Sequence, residues 1–133
     1  MTENDRTDNS RFEEGLRIRK EVLGAEFVER NLAAASDFTR PVQEWVTEAC
    51  WGTVWNRPGL DRATRSLVNI AMLTALGKMN ELSGHVRGAL TNGCTVEQIQ
   101  EVLLQTGVYC GAPAALEAFR TADKVMAEAT AED

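Results

Sequence analysis

The stretch DRATRSLVNIAMLTALGKMNELSGHVRGALTNG, residues 61–93, predicts two helices joined by a tight turn. The first helix, from about Asp61 to Lys78, carries no charge between Ser66 and Gly77, and a helix that is apolar nearly all round belongs in a protein interior. The second helix, from about Asn80 to Asn92, carries His85, the one histidine in the sequence. We therefore expect the rest of the chain to pack around this hairpin and the chemistry to lie there.

The flanking sequence predicts further short amphipathic helices, because apolar residues recur at helical spacing between Gly and Pro breaks. The expected spans are 12–23, 27–36, 41–55, 95–109 and 113–129. Asp61 and Asn80 are expected to cap the two helices of the hairpin, and Thr95 opens a capping box with Gln98. No stretch alternates as a strand does, so the predicted fold is all-α, with six to seven short helices. The polar residues 1–10 are predicted to be a disordered tail before a single domain, residues 11–133.

Composition narrows the possible functions. A formal net charge of −6 argues against binding nucleic acid or an anionic membrane through bulk electrostatics. The longest uncharged apolar run, about 12 residues, is too short to cross a bilayer. Cys50, Cys94 and Cys110 are widely spaced and follow no secretion signal, so we expect free thiols and a cytoplasmic protein.

His85 with Glu81, and Arg65, are the candidates in the hairpin for catalysis and binding. Glu81 lies one helical turn before His85, where it would orient the imidazole or raise its pKa for acid–base chemistry. Arg65 lies one turn before Asn69, and a guanidinium there would bind a carboxylate through two parallel hydrogen bonds. The alternatives are an ordinary surface Glu–His pair and a solvent-facing arginine.

Two further groups are candidates for lining a pocket. Glu48 shares a helix face with Trp51 and Trp55, whose rings would desolvate its carboxylate. Gln105 and Tyr109 form part of a polar stripe on the helix that follows Thr95. In both cases the alternative is a face exposed to solvent.

The sequence lacks the motifs of several common metal-binding and phosphate-binding sites. One histidine and no C-x-x-C pair argue against a conventional zinc site, and no phosphate-binding glycine loop is present. If the protein is an enzyme, we expect it to work without a metal or cofactor.

Three motifs in this order resemble the carboxymuconolactone decarboxylase family: WNRPGLDRATRSL (55–67), AMLTALG (71–77) and HVRGALTNGCTVEQIQEVLLQTGVYCGAPAA (85–115). The resemblance covers most of the chain, from about Arg17 to Met126. It implies a fold like that of alkyl hydroperoxidase D and a homo-oligomer, which we expect to be a hexamer built as a trimer of dimers.

The peroxidase branch of this fold carries a C-x-x-C-x-x-x-H motif. Its histidine matches His85, but its cysteine positions fall on Lys78 and Glu81. That branch also has a glutamate where this chain has Ser66. Both differences favour the decarboxylase branch over a peroxidase or antioxidant protein, although a spatial pair of Cys94 with Cys110 stays open.

The resemblance implies a carboxy-lyase that converts carboxymuconolactone to 3-oxoadipate enol-lactone and CO2, in the β-ketoadipate pathway of protocatechuate catabolism. Action on a related lactone is an alternative. For such a dicarboxylate, we expect His85, tuned by Glu81, to be the general acid and Arg65 to hold a carboxylate. Gln105 or Tyr109 would stabilise the oxyanion, and Glu48 and Trp55 would complete the substrate-binding residues.

Overall fold

The computed structural model describes the backbone of residues 3–132 and the side chains of residues 10–131. The described chain is all-α, as predicted. In order, its elements are α1 (Glu3–Leu23), α2 (Ala25–Ala33), α3 (Arg40–Trp45), a π-helical segment (Val46–Val54), α4 (Arg62–Leu76), α5 (Met79–Thr91), α6 (Val96–Cys110) and α7 (Ala112–Glu132). None of these helices is long and apolar enough to span a bilayer.

Helix α1 begins at Glu3, within the segment that was predicted to be a disordered tail. Neither Gly nor Pro lies between Glu3 and Glu14, so the helix extends towards the N-terminus with little loss of helix propensity. The rest of that prediction, for residues 1 and 2, lies outside the described residues.

The predicted helix 41–55 changes type halfway along. After α3 the backbone takes the π-helical pattern, in which an N–H group donates to the carbonyl five residues earlier. The Trp55 N–H, for example, donates to the Cys50 carbonyl at 2.9 Å. This segment packs against α1 at very close range, since a Cβ at Gly15 would collide with the Thr47 carbonyl and one at Gly52 with the Arg11 carbonyl. Glycine is required at both positions because the two backbones approach each other so closely.

The described chain groups into two compact units, one ending at Leu60 and one beginning at Asp61. The single domain predicted for residues 11–133 stays a prediction. In the first unit, Ile18 and Val22 of α1 pack with Trp51 and Trp55. The two indole rings stack with their centroids 4.7 Å apart and their planes at 28°. The buried apolar residues of α1 thus pack against two large aromatic side chains.

In the second unit, helices α4 to α7 enclose a separate core that includes Ile70, Leu82, Val86, Ile99 and Leu103. Both helices of the α4–α5 hairpin contribute to this core. The first unit has a core of its own, so the expectation that the whole chain packs around the hairpin stays a prediction.

Local signals set most helix ends in this unit. Asp61 Oδ1 accepts the Thr64 N–H at 2.8 Å, and the Thr95–Gln98 capping box is complete, so both predicted caps are confirmed. The cap predicted at Asn80 is wrong, because Lys78 is the N-cap of α5. Gly77 adopts φ 71°, a left-handed conformation that ends α4 and lets the next helix start at once.

Helix α4 is buried on one face only. Ser66, Ile70 and Thr74 are fully buried, whereas Met72 is 50% and Leu76 68% exposed. The prediction that this helix lies wholly inside the protein is therefore wrong for a single copy of the unit. The neighbouring helices α5, α6 and α7 cover one side of it and leave an apolar face open.

Candidate active site

His85 lies on α5 and is held by a side chain from α4. Its Nδ1 atom is 3.2 Å from Asn69 Nδ2. An amide nitrogen donates hydrogen bonds and accepts none, so Nδ1 is the accepting nitrogen and the imidazole proton is on Nε2. This contact joins the two helices of the hairpin, and with the amide nitrogen facing the ring it favours the tautomer protonated on Nε2.

Burial lowers the pKa of His85 to about 4, although the negative charge of Glu81 acts in the opposite direction. Desolvation dominates because the imidazole is largely enclosed, while Glu81 is exposed to solvent. The imidazole is therefore neutral at pH 7 in the free protein. This corrects the expectation of a histidine near its ordinary pKa, and Glu81 does not raise the pKa of His85 above its usual value.

Arg65 is half-buried and lies one helical turn before Asn69, on the same side of α4. The α4–α5 packing is fixed a second time near the start of α4, where Asn92 Nδ2 donates to Ser66 Oγ at 2.9 Å. Two hydrogen bonds, one helical turn apart on α4, thus restrict sliding of the two helices that carry Arg65 and His85.

Gln105 and Tyr109 lie elsewhere in this unit. They line an open groove of about 470 Å³ between α4 and α6, whose lining does not include Arg65 or His85. The other lining residues are Leu67, Val68, Ala71, Met72, Ala75, Val102, Thr106 and Cys110. Tyr109 is 83% exposed, so nothing in its own unit excludes water from its hydroxyl. Its role as an oxyanion donor stays a prediction, and it requires another surface to cover the groove.

Glu48 and Trp55 belong to the first unit. Trp55 is 6% exposed and stacks on Trp51, so its ring serves first as core. Glu48 is half-buried in the π-helical segment. Their roles in substrate binding stay predictions.

Asn69 is the site residue that sequence reasoning left out. The signal was present, since Asn69 is a polar residue within an uncharged apolar run and shares a helix face with Arg65. The sequence did not show that His85 of the next helix lies opposite it.

The thiols bear on the peroxidase alternative. All three cysteines are free, and burial raises the pKa of both Cys50 and Cys94. Cys94 Sγ donates to the Ala63 carbonyl at 3.3 Å. A thiol with a raised pKa is a poor nucleophile, so these two residues lack the activation that peroxide reduction needs.

Comparison with known proteins identifies the family of the chain. Residues 40–124 match the model of the carboxymuconolactone decarboxylase family. The chain is 43% identical over 119 residues to 4-carboxymuconolactone decarboxylase of Acinetobacter baylyi, covering 90% of this chain and 89% of that protein. It is also 46% identical over 123 residues to nitrosuccinic acid decarboxylase of Metarhizium robertsii, covering 92% and 86% respectively. Both relatives are decarboxylases, in agreement with the predicted carboxy-lyase class. These matches show that the chain belongs to the carboxymuconolactone decarboxylase family.

Proposed function

We propose that this protein decarboxylates 4-carboxymuconolactone to 3-oxoadipate enol-lactone and CO2 without a cofactor. The observation that carries the proposal is the enclosed His85, held through Nδ1 by Asn69 one helical turn from Arg65. This arrangement offers a substrate anion one cation and one imidazole on a rigid hairpin. The similarity to a 4-carboxymuconolactone decarboxylase along nearly the whole chain supports the choice of substrate.

The substrate supplies its own electron sink. The carboxylate to be lost is attached to the ring carbon beside the ring oxygen, and the ring double bond conjugates that carbon to the lactone carbonyl. When the carbon–carbon bond to CO2 breaks, its electron pair moves through the ring onto the carbonyl oxygen. The resulting dienolate then takes a proton at the carbon next to the carbonyl, which completes the enol-lactone.

The protein has three tasks in this sequence. Arg65 holds the acetate arm, which keeps its carboxylate throughout the reaction. A hydrogen-bond donor stabilises the oxyanion, and Gln105 or Tyr109 would serve if the groove is covered. His85 delivers the proton to the ring carbon through Nε2, the nitrogen that is not bonded to Asn69.

The low pKa of His85 fits this role once substrate is present. A dianion nearby favours the protonated imidazole and therefore raises its pKa, and the Glu81 carboxylate acts in the same direction. When Nδ1 takes up a proton, the Asn69 amide turns by half a rotation and presents its oxygen as an acceptor. Substrate binding thus charges the general acid, and proton transfer returns it to the neutral state.

A second candidate substrate is nitrosuccinic acid, because the chain is 46% identical to a nitrosuccinic acid decarboxylase. Loss of the carboxylate beside the nitro group would send the electron pair into that group and form a nitronate. The requirements are the same: a cation for the remaining carboxylate, donors for the new oxyanion and a proton for carbon. The two reactions therefore share Arg65 and His85, and an assay must distinguish them.

The test is direct. Pure protein is incubated separately with 4-carboxymuconolactone and with nitrosuccinic acid, and CO2 release and loss of ultraviolet absorbance are followed. We expect turnover of the lactone, with kcat reduced by about 10²–10⁴-fold in His85→Ala. Turnover of nitrosuccinic acid alone would replace the first proposal by the second, and turnover of neither would refute both.

We also propose that the working enzyme is a homo-oligomer, a hexamer arranged as a trimer of dimers, in the cytoplasm and in the β-ketoadipate pathway. The open apolar face of α4 and the groove beside it support self-association, since exposed apolar patches of this kind mark interfaces. The free thiols agree with a reducing compartment.

A further inference from the structure

Arg19, on α1 in the first unit, is a buried cation with no carboxylate partner among the side chains that the structure describes, those of residues 10–131. The residue is 7% exposed. Its Nη1 atom donates to Thr47 Oγ1 at 3.1 Å, and that hydroxyl donates in turn to the Gln43 carbonyl at 2.7 Å. Arg19 Nε is buried and has no hydrogen-bond acceptor within the described part of the chain. Among the described residues, the side-chain hydrogen bond of this guanidinium is thus with a neutral hydroxyl.

A buried arginine that has no counter-ion within the described part of the chain is unusual. Burial lowers its pKa, and the opposing electrostatic influence comes from the Cys50 thiol, which is itself protonated because its pKa is raised. Two residues away, Arg17 is exposed and forms ion pairs with Glu14 and Glu21. A buried, uncompensated charge destabilises a fold, and an anion bound beside it would offset that destabilisation.

Two further features of the helical stretch that contacts Arg19 are relevant to ligand binding. Thr47 lies in the π-helical segment, and π-helical turns are rare and occur frequently at functional sites. Gln43, one turn before Thr47, has a buried side-chain oxygen without a donor among the described residues. A second polar atom without a partner therefore lies on the same helical stretch as the residue that positions the guanidinium.

We propose that Arg19, Thr47 and Gln43 form a binding site for a small organic carboxylate. With Nη1 engaged by Thr47, the donors that remain are Nε and Nη2, which form the side-on fork that binds two carboxylate oxygens in parallel. One guanidinium neutralises the single charge of a carboxylate but only part of the charge of a phosphate. The Gln43 oxygen would accept from a hydroxyl or a bound water of the same ligand. Arg19 lies before residues 40–124, the part that matches the family model, and the proposal does not depend on the decarboxylase reaction.

The experiment measures binding of succinate to the whole protein at constant ionic strength. Tryptophan emission reports the first unit, because Trp51 and Trp55 pack against the same face of α1 as Thr47. Uncharged succinamide controls for effects of the solvent. We expect saturable binding of succinate to the wild type and to Arg17→Met. In Arg19→Met the Kd for succinate should rise about ten- to a hundredfold, the loss expected for charge-assisted hydrogen bonds. The Kd of Arg19→Lys should lie between those of the wild type and Arg19→Met.

Thermal unfolding without succinate adds a readout that separates binding from structure. Removing an uncompensated buried charge should leave the Tm of Arg19→Met equal to or above that of the wild type. A fall of several degrees would show that Arg19 has a structural partner, and it would overturn the proposal. Equal succinate binding by wild type and Arg19→Met, or none by the wild type, would overturn it as well.

Kinetics identify the source of the carboxylate. If it is the substrate's own, Arg19→Met raises KM with little change in kcat, while His85→Ala still binds succinate. If it belongs to a separate acid, KM is unchanged although succinate binding is weakened. Both outcomes support the site, and a protein without decarboxylase activity that binds succinate through Arg19 would refute the proposed function alone.

Discussion

Asn69 Nδ2 and His85 Nδ1 lie 3.2 Å apart, which makes an amide of one helix the partner of the histidine on the next. The contact sets the protonated nitrogen, the orientation of the ring and the register of α4 against α5. A neutral amide also leaves the charge of the imidazole free to change, whereas a carboxylate at this position would hold the protonated form.

Substitution of Asn69 tests this relationship in two directions. Asn69→Leu removes the donor to Nδ1, and we expect kcat to fall by roughly tenfold, the worth of one hydrogen bond of about 1.4 kcal/mol, with little change in KM. Asn69→Asp should instead raise the pKa of His85 and shift the pH profile of kcat/KM to higher pH. Thr91→Ala, at an exposed position of α5, is the matched control. If Asn69→Leu keeps full kcat, the amide does not position the histidine.

The course of the helices was largely predictable, because local chemistry determines it. The caps at Asp61 and Thr95 each depend on residues three positions apart, and both were found from the sequence. The π-helical segment was missed because helical periodicity does not distinguish it from an α-helix. It lies where the backbone of α1 at Gly15 closely approaches the Thr47 carbonyl, a tertiary contact that the sequence does not show.

The sequence was sufficient to predict His85 and Arg65 as residues of the candidate site, but not to predict the pKa of His85. His85 and Arg65 were identified by residue type and motif, but burial, which lowers the pKa of His85, depends on packing that periodicity does not report. Asn69 was missed for the same reason. Gln105 and Tyr109 were grouped with the site by helix face alone, and the structure places them on a groove without Arg65 or His85.

The low pKa of His85 predicts how stability depends on pH. The unfolded chain takes up this proton near pH 6.5 and the folded chain near pH 4, so between these values the unfolded state binds more protons. The free energy of unfolding should therefore fall as the pH is lowered through this window, by up to about 3 kcal/mol. Denaturant titrations from pH 7.5 to 4 measure it, and His85→Asn, which keeps an acceptor for Asn69, provides the comparison. Equal slopes for the two proteins would mean that His85 titrates alike in both states.

The exposed face of α4 predicts self-association. Met72 lines the groove and is 50% exposed, so a charge at this position should destabilise a single copy of the protein only slightly. In an assembly the same charge would be buried without a partner, and we expect Met72→Glu to lower the molar mass measured by light scattering while the helical content is unchanged. Thr91→Glu places the same charge at an exposed position away from the groove and should keep the wild-type mass. A monomeric wild type at micromolar concentration would contradict the prediction.

Substitutions of Arg65 distinguish a role in substrate binding from a role in structure. If its guanidinium binds a substrate carboxylate through two parallel hydrogen bonds, Arg65→Lys keeps the charge and loses the fork. Losing a charge-assisted hydrogen bond costs on the order of 1.5–3 kcal/mol, so kcat/KM should drop by roughly one to two decades. Arg65→Met should be clearly worse, because it also leaves a substrate charge without a partner.

The melting temperatures of the same two variants decide between binding and structure. A substrate-binding Arg65 predicts that Arg65→Lys and Arg65→Met unfold close to the wild-type temperature while their kinetics differ by a decade or more. A structural Arg65, which holds an acidic group of the fold, predicts that both variants lose stability before they lose catalysis. A solvated Arg65 predicts wild-type kinetics and wild-type melting in both. The half-buried position of Arg65, one turn from the residue that holds His85, favours the first of these three outcomes.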